Sequence, residues 1–275
     1  VTPAAWTVNR AGYTGSLAIT GGSPAFAVTA QAGLPPGLTA VVDCAGTAIV
    51  FTGTPTTEGV FKGSVTLTDA NGAVVTKTVE ITITAPPALS NLTTTAWTAT
   101  RAGFTGTMTL SGGTPVHAIT GQTGLPPGLK AVLTGGTVRF TGTPSVAGTF
   151  TGSVTVTDGS GAQVTKSFTI VVNAVPRFVL AAGPLPKYTV GSAYTPAITV
   201  AGGTGPLRVA VVAVSAPLPT GMRLAVSGSQ FVLSGTPRAL RSPIRITLRV
   251  TDALGVQATV MYTLTGQLSP VRRGL

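Results

Sequence analysis

The sequence predicts an all-β protein built from three β-sandwich domains in tandem, and three observations predict it. Motifs recur at near-constant spacing along the 275 residues. Between them lie short runs of β-branched residues in which apolar and polar positions alternate. Gly- and Pro-rich turns punctuate the runs, and no segment shows helical periodicity.

The repeat sets the domains. AWTVNRAGYTGSL at 5–17 matches AWTATRAGFTGTM at 96–108, and LPPGL at 34–38 recurs at 125–129. GSVTLTD at 63–69 returns as GSVTVTD at 152–158, two residues closer, the deletion falling where DCAG stands against TG. A third, more diverged copy carries LPTGM at 218–222, LSGTP at 233–237 and LRVTDALG at 248–255. The predicted domains are therefore 1–86, 87–175 and 176–275. Their joints fall at APPALS (85–90) and NAVPRF (173–178), where prolines stiffen the connection into a rod.

Within a copy each element has a local reason. In LPPGL two prolines fix φ and Gly permits a chain reversal, after which GTP opens the next strand. VFKGSVTLT (60–68) turns Phe61, Val65 and Leu67 inward. VEITI (79–83) does the same with Val79, Ile81 and Ile83, leaving Glu80 and Thr82 outside. Between these two strands DANG forms a hairpin turn. Asp69 accepts backbone N–H groups there and Gly72 supplies the left-handed position. DGSG at Asp158 and DALG at Asp252 repeat it. About seven short strands in each stretch of about 90–100 residues is the pattern of an immunoglobulin-like sandwich, here without the cysteine–tryptophan–cysteine core of antibody domains.

GLPPGL, FTGTP and the GSVTVTD strand with its turn resemble the immunoglobulin-like repeat family of bacterial surface and secreted proteins, related to dystroglycan-type cadherin-like domains. The third copy, from YTVGSAYTPAITVAGGTGPLRV at 188–209 onward, resembles it most. The resemblance implies the fold and leaves function open, because such repeats serve as spacers, adhesins, carbohydrate-binding appendages and assembly units alike.

Composition narrows the setting. Hydrophobic residues make up 43% of the chain and charged residues 8%, against about 25% charged in ordinary soluble domains. The mean hydropathy is +0.47. A surface so poor in charge repels its own copies weakly, which favours association. Gly, Pro or a charge interrupts every apolar stretch short of the roughly 20 residues of a spanning helix, so no membrane span is predicted. Val1 in place of Met predicts an extracellular chain whose leader has been removed. Cys44, the single cysteine, has no partner for an intrachain disulfide and is predicted to be a small buried hydrophobe on a strand.

Catalysis needs titratable groups that converge, and the sequence offers few. The carboxylates are Asp43, Glu58, Asp69, Glu80, Asp158 and Asp252, and the one histidine is His117. No pair is spaced for acid–base work, so no catalytic residue is predicted. Calcium takes six to eight oxygens, and neither linker contains an acidic residue, so no metal or cofactor is predicted and chelation should leave the fold intact. Histidines and cysteines are too few for zinc.

Charge is unevenly spread. The three domains carry net −1, +3 and +9 in order. Arg238, Arg241, Arg245 and Arg249 fall in one short segment, Arg245 and Arg249 on one strand face, and Arg272 and Arg273 lie near the end. Such a patch either keeps a weakly charged protein soluble or docks an anionic cell surface, an acidic glycan or a neighbouring subunit. No aromatics interleave with it, so nucleic acid is not predicted as a partner. Trp6 and Trp97, beside Arg10 and Arg101, read as core or junction plugs rather than sugar platforms.

The expectation is a non-enzymatic extracellular structural protein, the repeating subunit of a filament, fibre or surface layer whose copies join head to tail. In that expectation VTPAAWTV, with Trp6 and Val8, adds to a sheet edge of the next copy. The arginines of the third domain then meet the less basic first domain. The alternatives are an adhesin or carbohydrate-binding module of a larger secreted protein, and a phage fibre component.

Overall fold

The computed structural model describes residues 1–227, 229–241 and 243–269, and among them there is no α-helix. Three apolar cores follow one another along the chain. The first is centred on Phe51 and Ile81, the second on Phe140 and Ile170, and the third on Phe231 and Tyr262. Each lies between two sheets, so the chain is three immunoglobulin-like sandwiches in tandem.

The second module shows the complete pattern. One sheet orders Ala96–Thr98, Gln163–Asn173, Gly148–Thr157 and Ala118–Thr123; the facing sheet orders Leu129–Thr134, Thr137–Gly142, Thr107–Ser111 and Ala88–Leu89. The third module has the same two four-stranded sheets. In the first, Ser16–Ala18, Ala48–Gly53 and Leu38–Val42 make a sheet of three, and an isolated antiparallel bridge joins Thr2 to Ser16 at its edge.

Alternation decides which side chains enter the cores. Val65 and Leu67 point inward from Gly59–Thr68, and Val79, Ile81 and Ile83 from Val74–Thr84. At the lower end of each module two aromatics meet edge to face: Trp6 with Tyr13, Trp97 with Phe104 and Tyr188 with Tyr194. Such contacts contribute about 0.5–1.5 kcal/mol beyond area burial. The chain enters and leaves each module in the same direction. Ala5–Thr7 runs parallel to Val74–Thr84 with Thr7 opposite Thr84, and Ala96–Thr98 runs parallel to Gln163–Asn173 with Thr98 opposite Asn173. In the third module Thr189 stands opposite Gln267.

LPPGL is a tight turn locked to GTP. The Leu38 amide donates to the Pro35 carbonyl, and the Thr54 and Thr56 amides donate to the carbonyls of Gly37 and Pro36. Gly37 has φ +91°, and a Cβ there would strike the Thr54 carbonyl, so the turn requires glycine. GTP therefore closes the strand Ala48–Gly53 against LPPGL instead of opening the next one. Cys44 also departs from expectation. It is exposed in the turn between Leu38–Val42 and Ala48–Gly53, because Asp43 folds that loop back by accepting from the amides of Thr47 and Ala48.

Candidate functional site

The chemically distinctive places are the two joints between modules. At the first, Thr7 on the opening strand of module one is 1% exposed, and Asp158 in the hairpin turn of module two is 5% exposed. The Thr7 hydroxyl donates to Asp158 Oδ2 at 2.5 Å, and the Thr114 amide donates to the same oxygen at 2.9 Å. Thr114 Oγ1 lies 3.0 Å from Thr7 Oγ1 and 3.2 Å from Thr84 Oγ1. The other oxygen, Oδ1, holds the turn by accepting from the amides of Ser160 and Ala162 and from the Ser160 hydroxyl. Arg10 Nε donates to the Ser160 carbonyl across the joint, while its guanidinium lies 5.7 Å over the Trp6 ring. The linker is fastened too, the Gly113 amide donating to the Ala85 carbonyl.

The second joint repeats the first. The Thr98 hydroxyl donates to Asp252 Oδ2 at 2.5 Å, the Thr204 amide joins it at 3.1 Å, and Thr98 and Thr204 hydroxyls lie 2.7 Å apart. Asn173 stands where Thr84 stood and donates to Thr204 Oγ1. Asp252 Oδ1 takes the amides of Leu254 and Val256. Leu254 replaces the polar Ser160 at this joint and packs against the core of module two. Arg101 lies over Trp97 at 5.5 Å, with its buried Nε unpaired.

Burial pushes the Asp158 carboxyl up, but the hydroxyl of Thr7, the amide of Thr114, the hydroxyl of Ser160 and the amide of Ala162 outweigh it and hold the group below its ordinary value. Asp252 is held low in the same way, against burial, by the Thr98 hydroxyl and the amides of Thr204, Val256 and Leu254. Both are thus buried carboxylates solvated by donors from two modules, an arrangement for clamping rather than for moving protons.

This revises the picture of acid-free joints. The linkers lack carboxylates, but the turns bring one into each joint from far along the chain. That single carboxylate already accepts from several N–H and O–H groups, which does not match the six to eight oxygens calcium takes. Among the described residues no group of three or more His, Cys, Asp or Glu side chains is gathered for a metal.

The other sequence-predicted residues are not brought together. Asp69 occupies the same turn in module one, at the outer end of the array. Its Oδ1 accepts from the amides of Asn71 and Ala73, and its Oδ2 accepts the Ser23 amide. Trp6 and Val8 belong to the core of their own module, and Ala5–Thr7 is paired within it. Ala5–Thr7 thus serves its own module on the side of Val74–Thr84 and forms the edge strand of that sheet. Arg245 and Arg249 are exposed on one face of Ile244–Thr251, and Arg238 and Arg241 are exposed on the segment before it. Arg272 and Arg273 lie outside the described residues. Sequence reading missed Thr7 and Thr98; the available signal was a threonine repeated after the tryptophan in both copies, with Thr189 after Tyr188 in the third.

Sandwiches clamped end to end by buried hydrogen bonds define an immunoglobulin-like tandem-repeat protein. The chain belongs to the family described as Putative Ig domain, whose family model matches residues 86–173 and 178–266. No curated protein matches it significantly. Among solved structures it is similar to an I-band fragment of titin, 12% identical with a TM-score of 0.49 over 96% of this chain and 95% of that one. It is also similar to the ectodomain of human desmocollin-1, 14% identical with a TM-score of 0.39 over 97% of this chain and 60% of that one. A protocadherin gammaB7 fragment is 13% identical with a TM-score of 0.32 over 97% of this chain and 72% of that one.

Proposed function

We propose that the protein is a non-enzymatic extracellular structural subunit whose copies stack head to tail, the joint between copies repeating the joint between modules. One observation carries this reading: the two outer ends are the two halves of that joint. Module three ends in Thr189 opposite Gln267, with Gln267 Nε2 donating to Thr189 Oγ1, at the positions held by Thr98 and Asn173. The opposite face of module one carries Asp69 and Ser23, at the positions held by Asp158 and Thr114. A hydroxyl donor at one end and a carboxylate acceptor at the other cannot pair with themselves, so each contact joins unlike surfaces and propagates a filament. The scarcity of charge supports it, because few like charges oppose association. Concentration-dependent sedimentation and negative-stain microscopy test the reading. Fibres whose axial repeat spans three modules are expected, and a chain that stays monomeric at all concentrations refutes it.

A second reading rests on the basic face. Arg208, Arg245 and Arg249 are exposed on one sheet of module three, with threonines opposite Arg208 and Arg245. Lys62 with Glu80 is the one ion pair among the described residues, and it lies in module one. The arginine face suits an anionic glycan or cell surface that the assembled protein would contact. Retention on heparin that Arg245→Ala with Arg249→Ala abolishes is the expected result, and retention unchanged by the pair excludes this face.

A further inference from the structure

Module three differs from the other two along one side of its sandwich. In modules one and two a glutamine closes that side. The Ala40 amide donates to Gln31 Oε1 at 2.7 Å, and the Ala131 amide donates to Gln122 Oε1 at 3.1 Å. Gln31 stands opposite Val65 and Gln122 opposite Val154. Val211, opposite Leu248, holds that register in module three and has no acceptor to offer. A second closing device is lost with it. A Cβ on Gly33 or Gly124 would strike the carbonyl of Lys62 or Thr151, so the loop lies directly on the strand beside Gly63 or Gly152. Counted back from the turn aspartate, the buried Ile246 takes the place of those two glycines. The loop is also longer: Leu34 and Leu125 follow their glutamines by three positions, whereas Leu218 follows Val211 by seven.

These changes leave an open edge over an apolar groove. Met222–Ser227 is the outermost strand of its sheet and pairs with Gln230–Gly235 alone. The Met222 amide donates to the Pro219 carbonyl as the Leu38 amide does to Pro35. Leu224 therefore stands where Ala40 stands, and its N–H points off the edge toward a valine that cannot accept it. Beside it runs a groove of about 590 Å³, lined by Val211, Val214, Pro217, Leu218 and Leu224. Val212 is 52% exposed and Val226 41% exposed along the same side. Exposed arginines flank the groove. Arg223 lies on the edge strand itself, and the Arg245 amide donates to Ser215 Oγ at the lip.

We propose that this edge receives an extended segment of a partner protein in which apolar and acidic residues alternate. The segment adds to Met222–Ser227 as a further strand, its backbone accepting the Leu224 N–H. Side chains of a strand alternate between faces, so one set enters the groove while the other lies beside Arg223. The first set must be apolar and the second anionic. A second copy of this chain fits the edge poorly. An antiparallel pair of these strands brings two copies of Arg223 close together between modules of net +9, and like charges at such a pairing destabilise it. An acidic partner gains from the same charges. The site is separate from the sheet face of Arg208, Arg245 and Arg249, because it requires a free backbone edge and an apolar groove as well as charge.

The probe is a fluorescein-labelled synthetic peptide of alternating valine and glutamate, titrated with the full chain and followed by anisotropy. Saturable binding is expected. Methylating every second backbone nitrogen of the peptide, in either register, keeps its side chains and charge but blocks strand pairing in one of the two, which should then not bind. Replacing its glutamates with lysines should abolish binding. Arg223→Glu, at an exposed position, should weaken binding at least tenfold, whereas Arg249→Ala should leave it unchanged. Val211→Gln restores the glutamine and should weaken binding to a similar extent, with circular dichroism confirming that both variants stay folded. Equal binding of both methylated peptides, or undiminished binding by Arg223→Glu, overturns the proposal. So does a loss in Arg249→Ala as large as that in Arg223→Glu, which would place the contact on the arginine face. Absence of binding by the unmodified peptide overturns it too. Self-association that Val211→Gln abolishes would assign the edge to a second copy and likewise overturn it.

Discussion

Asp158→Ala tests the clamp directly. The substitution removes the acceptor of five hydrogen bonds, from the Thr7 hydroxyl, the Thr114 amide, the Ser160 amide and hydroxyl, and the Ala162 amide. The Thr7 hydroxyl keeps Thr114 Oγ1 as a partner, and the Ser160 hydroxyl is free to rotate. Three amides then lose their acceptor, and at about 1 kcal/mol each the loss is on the order of 3 kcal/mol. Asp69→Ala also frees three amides, those of Ser23, Asn71 and Ala73, but they lie where water can replace the acceptor, so it should cost clearly less. Thr7→Val keeps the shape of the side chain and removes only the hydroxyl. Combined with Asp158→Ala in a double-mutant cycle, it should show a coupling of about 1–2 kcal/mol across the joint. Urea unfolding followed by tryptophan fluorescence is the natural assay, because Trp6 reports module one, Trp97 reports module two, and module three has no tryptophan. Equal losses for Asp69→Ala and Asp158→Ala, with coupling below about 0.5 kcal/mol, would refute the clamp.

Acid should loosen the joints. Asp158 and Asp252 are held below their ordinary value in the folded chain, so the unfolded chain binds protons more readily. Their contribution is therefore complete above the unfolded value of about 3.9 and is lost as pH falls through the lower folded value. Calorimetry should give a flat melting temperature from neutral pH to about pH 5 and a decline below about pH 4. The decline should be shallower in Asp158→Ala with Asp252→Ala, and a wild-type decline in that variant counts against the assignment. Deleting residues 1–8 removes a paired strand together with Trp6 and Val8, so module one should become protease-sensitive while modules two and three stay intact. Resistance of all three would mean that the segment is dispensable to the fold.

The fold was legible because its determinants are local. LPPGL, GTP and the D-x-x-G turns fix where strands begin and end, and alternation in VEITI names the inward side chains without reference to anything distant. The joint was not legible in the same way. Thr7 and Asp158 are 151 residues apart, and nothing near either one marks it as half of a contact. Reading Asp158 as a turn cap accounts for one of its two carboxylate oxygens. Cys44 misled because its neighbours are apolar, while Asp43 beside it curls the loop outward.

The parallel pairing of first and last strands has a consequence under tension. Force applied to the two ends of a module pulls Ala5–Thr7 and Val74–Thr84 in opposite senses along their shared length. Their hydrogen bonds are then loaded together in shear instead of being opened one after another, as an antiparallel hairpin pulled from its open end would be. Thr7 closes that strip and also reaches Asp158 of the next module, and Thr98 does the same with Asp252. Load passing along the array therefore crosses each boundary at the residue where the strip ends, and the boundary is braced on the line of pull.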